Sequence, residues 1–234
     1  MEKKRLTFQL DTPYSSVDWP QVTAEDQDTI LELLCSLLSP IGRHRTQHKQ
    51  PSRGKGDKKR KRREAEKPDA APAPPPAPEI SSYVDVGLST ITRNLQSSIA
   101  EGVDGAKTDA DASKTSLYSV IVVARSGQPN ILHSHLPQIV AVASETHPST
   151  EPIRLVGISK ACQDRLCEAL GIPRVSCVGL REGAPNSKAL VDFARQRAPP
   201  IEVTWLKEAQ KAEFRETKIK TVETVIGSKK PSRK

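Results

Sequence analysis

Three short, almost continuously apolar runs constrain the fold of this chain more than any other feature of its sequence. They read LYSVIVVA at residues 117–124, IRLVGI at residues 153–158 and VSCVGL at residues 175–180. Runs this short and this rich in β-branched residues predict strands that are buried on both faces of a sheet. Segments with helical apolar spacing alternate with them, so the sequence predicts an α/β sandwich with helices on both faces of the sheet.

The helices predicted between and after these strands carry recognisable start and stop signals. LPQIVAVASE has Pro137 in its first turn, where proline suits a helix. SKACQDRLCEALG begins with the capping residue Ser159 and ends at Gly171, a typical helix stop. A further short helix is predicted at residues 187–197.

The beginning of the chain predicts one more helix, followed by a long linker. This helix begins at the capping residue Thr23, has a leucine-rich stripe and ends at Ser39 and Pro40. A basic stretch and then PDAAPAPPPAPE follow, and this composition buries too little apolar surface to fold. The predicted organisation is an N-terminal extension with one helix (1–41), a disordered basic and proline-rich linker (42–79), an α/β domain (80–198) and a basic C-terminal extension (199–234).

The positive charge of the chain is concentrated in two segments. Residues 42–67 hold 12 Lys and Arg against 3 Asp and Glu, a net of +9, which leaves −1 for the rest of a chain whose total is +8. Residues 207–234 carry a net of +5 and include an alternating stretch, 217–226, that predicts an edge strand or a strand added to a partner. Such clusters are typical of a chain held near phosphates, and nuclear import is the alternative role for the basic run. That run is Lys58, Lys59, Arg60, Lys61, Arg62 and Arg63.

Several function classes find no support in the sequence. There is no G-x-G-x-x-G turn, no phosphate-binding loop ending in Gly-Lys-Ser/Thr and no G-x-S-x-G elbow. The four cysteines form no C-x-x-C pair, so we expect neither a metal site nor any cofactor. No run approaches the roughly 18 to 20 apolar residues that span a bilayer, and the start lacks a secretory signal, so we expect a soluble intracellular protein without a membrane partner. The α/β part is therefore interpreted as a binding module and not an enzyme.

The stretch VGLSTITRNLQSSI predicts a helix whose first turns are polar on one side. Ser89 and Thr90 lie at its start, where free backbone amides and the helix dipole attract anions. Arg93, three and four residues further along, lies on the same side of the helix. A nucleic-acid backbone or base edge uses hydroxyls, amides and a guanidinium together, whereas simple helix capping with an exposed arginine explains the same residues without a ligand.

From residue 86 to about 182 the order of motifs resembles the kink-turn-binding ribosomal protein family. The motifs are GLSTITR, YSVIVVA, HLPQIVAVASE and SKACQDRLCEALGIPRVSCVGL. The resemblance implies a three-layer α/β/α sandwich with a mixed sheet. It also implies RNA contacts at Gly87, Ser89, Thr90 and Arg93, which match the family's G-x-N-E-x-x-K pattern, and at the loop of Ile172, Pro173, Arg174 and Val175. Because Ser89 and Thr90 replace Asn and Glu, we expect an altered RNA motif and help from neighbouring proteins.

The segments before residue 86 and after about residue 182 resemble a more particular group of proteins. VDWPQV with its leucine-rich helix, the basic proline-rich insert and the long basic tail resemble the fungal ribonuclease P and ribonuclease MRP subunits of the Pop series. This resemblance implies a non-catalytic accessory protein that binds ribonuclease P RNA and ribonuclease MRP RNA beside other protein subunits, assists precursor tRNA and precursor rRNA processing, and resides in the nucleus and nucleolus. The alternatives are a kink-turn binder of a small nucleolar or ribosomal particle, or a protein-interaction scaffold that does not contact RNA.

Overall fold

The computed structural model describes residues 4–13, 17–48, 75–104, 117–125, 129–205, 208, 211 and 214–225. Most of the predicted linker, with the basic run 58–63, lies outside these residues. In chain order the described elements are β1 (Lys4–Asp11), α1 (Ala24–His48), β2 (Val84–Val86), α2 (Leu88–Asp104), β3 (Tyr118–Ala124), α3 (Leu136–Thr146), β4 (Arg154–Ile158), α4 (Lys160–Leu170), β5 (Cys177–Arg181), α5 (Lys188–Arg197) and β6 (Lys218–Val225). The chain forms two compact units, Asp18–Glu202 and a terminal unit of Met1–Val17 with Val203–Lys234.

The larger unit is built on a four-stranded mixed sheet with the strand order β2, β5, β3, β4. The central strand β3 runs parallel to β4 and antiparallel to β5, so that Val122 lies between Val156 and Val178. The short strand β2 pairs antiparallel with β5 at the opposite side of the sheet. All three predicted strands are confirmed, and β2 is an addition that its three residues did not predict.

Helices cover both faces of this sheet, and alternate residues of each strand enter different cores. On β3, Val120 and Val122 pack in a core with α1, α4 and α5. The intervening residues Ile121 and Val123 pack on the other side with α2 and α3. The predicted three-layer α/β/α sandwich with a mixed sheet is therefore confirmed.

The local signals at helix ends behave largely as the sequence predicts. The Thr23 hydroxyl accepts a hydrogen bond from the Asp26 N–H at 3.2 Å and so caps α1. Gly171 ends α4 in the left-handed conformation at φ 63°, which a glycine adopts without strain. Ser159 occupies the N-cap position of α4, but its hydroxyl lies 3.1 Å from the Cys162 sulfur and caps no backbone amide.

The predicted end of α1 at Ser39 and Pro40 is wrong, because the helix continues to His48. Proline lacks the N–H of a helical hydrogen bond, so the prediction followed from local chemistry alone. Packing outweighs that loss: Ile41 and Gly42 are buried, and the Arg45 guanidinium donates to the Leu170 carbonyl at 3.3 Å. Helix α1, which the sequence placed in the N-terminal extension, contributes Ile30, Leu34 and Leu38 to the sandwich's core.

The terminal unit contains a two-stranded antiparallel sheet formed by β1 and β6. The predicted C-terminal strand is confirmed, and it pairs with residues at the beginning of the same chain. Among the described residues, no helix combines the length and apolar character needed to cross a membrane.

Candidate nucleic-acid interface

The beginning of α2 and the loop between α4 and β5 meet at one edge of the four-stranded sheet. Val86, the last residue of β2, pairs with Val178 of β5. One residue further on, the Gly87 N–H donates to the Cys177 carbonyl at 2.8 Å. Because Cys177 directly follows the α4–β5 loop, the predicted RNA contacts on α2 and in this loop lie side by side. We call this surface, comprising Gly87, Ser89, Thr90, Arg93 and residues 172–174, the α2 edge.

Gly87 makes the turn from β2 into α2 possible. Its φ of +105° lies in a region that other residues rarely adopt, and a Cβ at this position would meet no atom within 4 Å. The demand for glycine is therefore conformational and not steric. The Gly87 carbonyl accepts from the Ile91 N–H at 3.2 Å, so the helix begins directly after the turn with its first amides directed at the α2 edge.

Helix α2 buries one face and exposes the residues that the sequence predicts as contacts. Ile91 and Leu95 are 0% and 1% exposed, whereas Ser89, Thr90 and Arg93 are exposed. One side of the helix thus exposes two hydroxyls, a guanidinium and the first helical amides to solvent, away from the apolar core.

The third hydroxyl in the first turns of α2 has a different role. Thr92 is half-buried, and its hydroxyl lies 3.3 Å from Nε2 of His135 at the start of α3. This pair ties α2 to the neighbouring helix, so Thr92 supports the position of α2 and is not part of the α2 edge.

The α4–β5 loop is held by backbone hydrogen bonds and by its own apolar residues. Beyond Gly171, the Ile172 N–H donates to the Cys167 carbonyl at 3.1 Å, and the Ile172 side chain packs partly against the core. Pro173 and Arg174 are exposed. Val175 is only 1% exposed, so this predicted contact residue shapes the loop from beneath and offers no side chain to a ligand.

A buried polar cluster fixes α2 against the sheet. Asp85 Oδ2 accepts from Arg181 Nε at 2.9 Å, from Tyr118 Oη at 2.7 Å and from Asn94 Nδ2 at 3.1 Å. Asn94 also donates to Tyr118 Oη at 2.8 Å. Burial, and then the hydrogen bond to Asp85, raise the pKa of Tyr118 above its ordinary value, so the phenol stays protonated. Since Asn94 directly follows Arg93 in α2, this cluster sets the helix rotation that presents Arg93 to solvent.

The structure adds polar residues at the same sheet edge that the sequence did not single out. Arg125 directly follows β3, and its guanidinium lies 4.4 Å from the centre of the Trp19 ring, within cation–π distance. It borders an open cavity of about 290 Å³ lined by Gln27, Arg125, Asn130, Gly157, Ile158 and Ser159. Lys160, the exposed first residue of α4, follows at the end of β4. The available signal was positional: Arg125 comes directly after a buried strand and Lys160 comes two residues after another, where loops meet at a sheet edge.

The charge and geometry at this edge define what it can bind. Arg93, Arg174, Lys160 and Arg125 bring four cations to the loops around the carboxyl ends of β2, β3 and β4. Among the residues that the structure describes, no three His, Cys, Asp or Glu side chains are grouped so that they could hold a metal ion. The fold and the site thus define a three-layer α/β sandwich with a cationic, hydroxyl-lined sheet edge suited to an anionic ligand.

The particular family follows from sequence comparison. A family model described as RNase P subunit Pop3 matches residues 76–208, more than half of the 234 residues, and the chain belongs to this family. The predicted identity as a Pop-series subunit of ribonuclease P or ribonuclease MRP is confirmed. The match covers every element from β2 to α5 and begins after α1. No curated protein matches the chain significantly.

Proposed function

We propose that this ribonuclease P subunit binds RNA through the α2 edge. The observation that supports the proposal most is the backbone hydrogen bond from the Gly87 N–H to the Cys177 carbonyl, which places the beginning of α2 beside the α4–β5 loop. Phosphates accept hydrogen bonds from helix N-terminal amides, hydroxyls and guanidinium groups, and the α2 edge presents all three. Sequence resemblance also leads us to infer kinship with the kink-turn-binding ribosomal proteins and a fungal source.

The RNA motif recognised at this edge differs from a standard kink-turn. The hydroxyls of Ser89 and Thr90 reach less far than the Asn and Glu side chains that occupy these places in kink-turn binders. A hydroxyl also provides one donor, whereas the Asn amide provides two. Hydrogen bonds to the sheared G·A base pairs of a kink-turn are therefore lost. Contacts to the phosphate backbone then contribute a larger share of the binding free energy. We infer that neighbouring proteins supply part of the selectivity.

The wider role follows from the resemblance to Pop-series subunits. The chain acts as a non-catalytic accessory protein of ribonuclease P and ribonuclease MRP, binds the RNA of each particle beside other protein subunits, and assists precursor tRNA and precursor rRNA processing. It resides in the nucleus and nucleolus. In the proposed division, α1 belongs with the α/β domain, the linker begins after His48, and the C-terminal extension is kept.

Two arginines of the α2 edge provide the direct test. Arg93→Ala with Arg174→Ala is expected to weaken binding of ribonuclease P RNA at least about ten-fold, because charge-assisted hydrogen bonds contribute about 1.5 kcal/mol or more each. The slope of log K against log salt should fall by about 0.7 to 0.9 for each lost phosphate contact. The matched control is Arg165→Ala, which removes an exposed arginine from α4 in the groove it forms with α1.

The result is read from the difference between these variants in electrophoretic mobility shift titrations at several salt concentrations. A large loss for the α2 edge variant and less than about a two-fold loss for Arg165→Ala support the proposal. Equal losses per removed arginine assign the affinity to overall charge, and no loss in either variant places the RNA elsewhere on the chain.

The basic run 58–63 is tested separately, since it serves either RNA phosphates or nuclear import. Its deletion should flatten the salt dependence of RNA binding while leaving RNA preference intact if it contacts phosphates. If the salt slope is unchanged and a fluorescent fusion of the deleted protein leaves the nucleus, the run serves import.

A further inference from the structure

The two-stranded sheet of the terminal unit exposes an apolar face. Strands β1 and β6 pair along their whole length, from Lys4 with Val225 to Asp11 with Lys218. Because side chains alternate between the faces of a strand, Leu6, Phe8 and Leu10 lie on one face, with Ile219 opposite Leu10. We call the two strands the terminal ribbon and this side its apolar face.

The apolar side chains of this face are far more exposed than large apolar residues usually are. Their exposed fractions are 54% for Leu6, 70% for Phe8, 80% for Leu10, 59% for Ile219 and 56% for Val225. A contiguous apolar patch of this kind marks an interaction surface. A sheet of only two strands also has marginal stability in water until another layer covers its apolar face. We therefore expect another layer to pack on the apolar face of the terminal ribbon.

The character of the face favours protein over RNA as the covering layer. An RNA surface presents phosphates, sugar hydroxyls and base edges, and its unpaired bases stack on aromatic rings. Phe8 provides the one such ring among the apolar side chains of this face, whereas Leu6, Leu10, Ile219 and Val225 are aliphatic. Thr221 lies opposite Phe8 on the same face, and Glu223, opposite Leu6, pairs with Lys4 at 3.2 Å. A row of leucine, isoleucine and valine around one phenylalanine matches the apolar face of a helix or sheet.

The charge around the face favours a partner that differs from this chain. The ribbon carries Lys4, Arg5, Lys218 and Lys220 against Asp11 and Glu223, a net of +2, and residues 207–234 carry +5. Lys4 pairs with Glu223 at 3.2 Å and Lys218 with Asp11 at 3.5 Å, both at exposed positions, so the two carboxylates are matched within the ribbon. A second copy would bring these positive charges together. Strands lie only about 4.8 Å apart, so basic side chains of the opposite face reach the edges of the ribbon. Acidic residues at the border of the partner surface would complement them.

We propose that the apolar face of the terminal ribbon docks onto another protein, at an apolar surface bordered by Asp and Glu side chains. Leu6, Phe8, Leu10 and Ile219 fill the centre of the interface, and Lys218 and Lys220 contact its acidic border. The ribbon thereby joins the chain to a neighbouring protein. This surface belongs to the terminal unit, so the inference stands or falls independently of RNA binding at the α2 edge.

Site-specific photocrosslinking in cells tests the proposal with the full chain. One version carries benzoylphenylalanine in place of Phe8, and the matched version carries it in place of Gln9, whose side chain lies on the opposite face. Mass spectrometry identifies the crosslinked molecule and the crosslinked peptide. Expected is one protein other than this chain, crosslinked at position 8 at least about ten times more than at position 9, at an apolar segment flanked by acidic residues.

The identified partner is then purified, and its affinity for the full chain is measured. Phe8→Ser with Ile219→Ser should weaken it at least ten-fold, and Lys218→Ala with Lys220→Ala should weaken it and reduce its salt dependence. Gln9→Ser with Thr224→Ser, on the opposite face, should leave it within two-fold. Circular dichroism spectra that match the wild type show that each variant remains folded. The proposal is overturned if position 8 crosslinks to RNA or to a second copy, if both positions crosslink equally or not at all, or if the apolar variant binds the partner normally.

Discussion

Gly42→Ala should destabilise the α/β sandwich, although alanine is the better helix former. Gly42 is buried where α1 crosses α4, beyond Pro40. A Cβ at this position would collide with the Ala169 carbonyl oxygen and lie 2.9 Å from its carbonyl carbon and 3.2 Å from that of Leu170. All three atoms belong to the backbone of α4, so none of them can rotate away as a side chain does.

The size of the effect follows from these distances. Carbon atoms in contact stand about 3.5 to 4.0 Å apart, so relief of the 2.9 Å contact alone requires α1 and α4 to separate by roughly 0.6 to 1.1 Å. Overpacking of a core typically costs about 1 to 3 kcal/mol, and backbone contacts place this site at the upper end. Alanine regains at most about 1 kcal/mol through helix propensity. We expect a net loss of about 2 kcal/mol, which lowers the Tm by about 4 to 8 °C for a unit of this size.

Thermal and urea unfolding followed by circular dichroism measure this loss. The matched control is Gln47→Ala, an exposed position of the same helix, which should stay within about 0.5 kcal/mol of wild type. If Gly42→Ala unfolds at the wild-type temperature or above it, α1 does not pack on α4 beyond Pro40, and the helix end predicted from the sequence would be correct.

Three further predictions concern the buried groups of the sandwich. Asp85→Ala should lower the free energy of unfolding by about 3 kcal/mol in urea titrations, because the buried Arg181 guanidinium loses this carboxylate. The pKa of Tyr118 is raised in the folded state, so its contribution to stability is complete below pH about 10 and is lost as the pH rises further. Tyr118→Phe should therefore weaken the fall in unfolding free energy above that pH, and an identical alkaline profile would contradict the burial of the phenol. Burial also raises the pKa of the Cys177 thiol, so iodoacetamide should modify the half-buried Cys167 at least about ten times faster, as peptide mass spectrometry can show.

The strands and most helix ends could be predicted because their signals are local. The run that became β3, YSVIVVA, has only Ser119 and the Tyr118 hydroxyl as polar groups, so burial on both faces was the direct interpretation. The turn at Gly171 and the cap at Thr23 depend on one residue and its immediate neighbours. Such features do not depend on tertiary contacts, so they can be predicted from the local sequence.

The features that the sequence did not predict depend on residues distant in the chain. Helix α1 passes Pro40 because α4, more than 100 residues later, packs against its last turns. Strand β1 has its pairing partner, β6, at the other end of the chain, and its exposed apolar face resembles no buried strand. Neither contact is indicated by the sequence pattern of a single segment.

The candidate site shows the same division between local and distant information. The exposure of Ser89, Thr90 and Arg93 follows from the apolar stripe of their own helix, and the sequence predicted it. The burial of Val175 and the placement of Arg125 over Trp19 arise from tertiary packing between separate segments. Their roles became visible only with the sheet in place.

The proposed contact between RNA and the α2 edge is tested most directly by ultraviolet crosslinking of the assembled ribonuclease P particle, with the crosslinked peptides identified by mass spectrometry. RNA crosslinks are expected in the peptides that contain residues 88–93 and residues 172–174. Crosslinks confined to the basic run 58–63 or to the C-terminal segment, with none at the α2 edge, would contradict it.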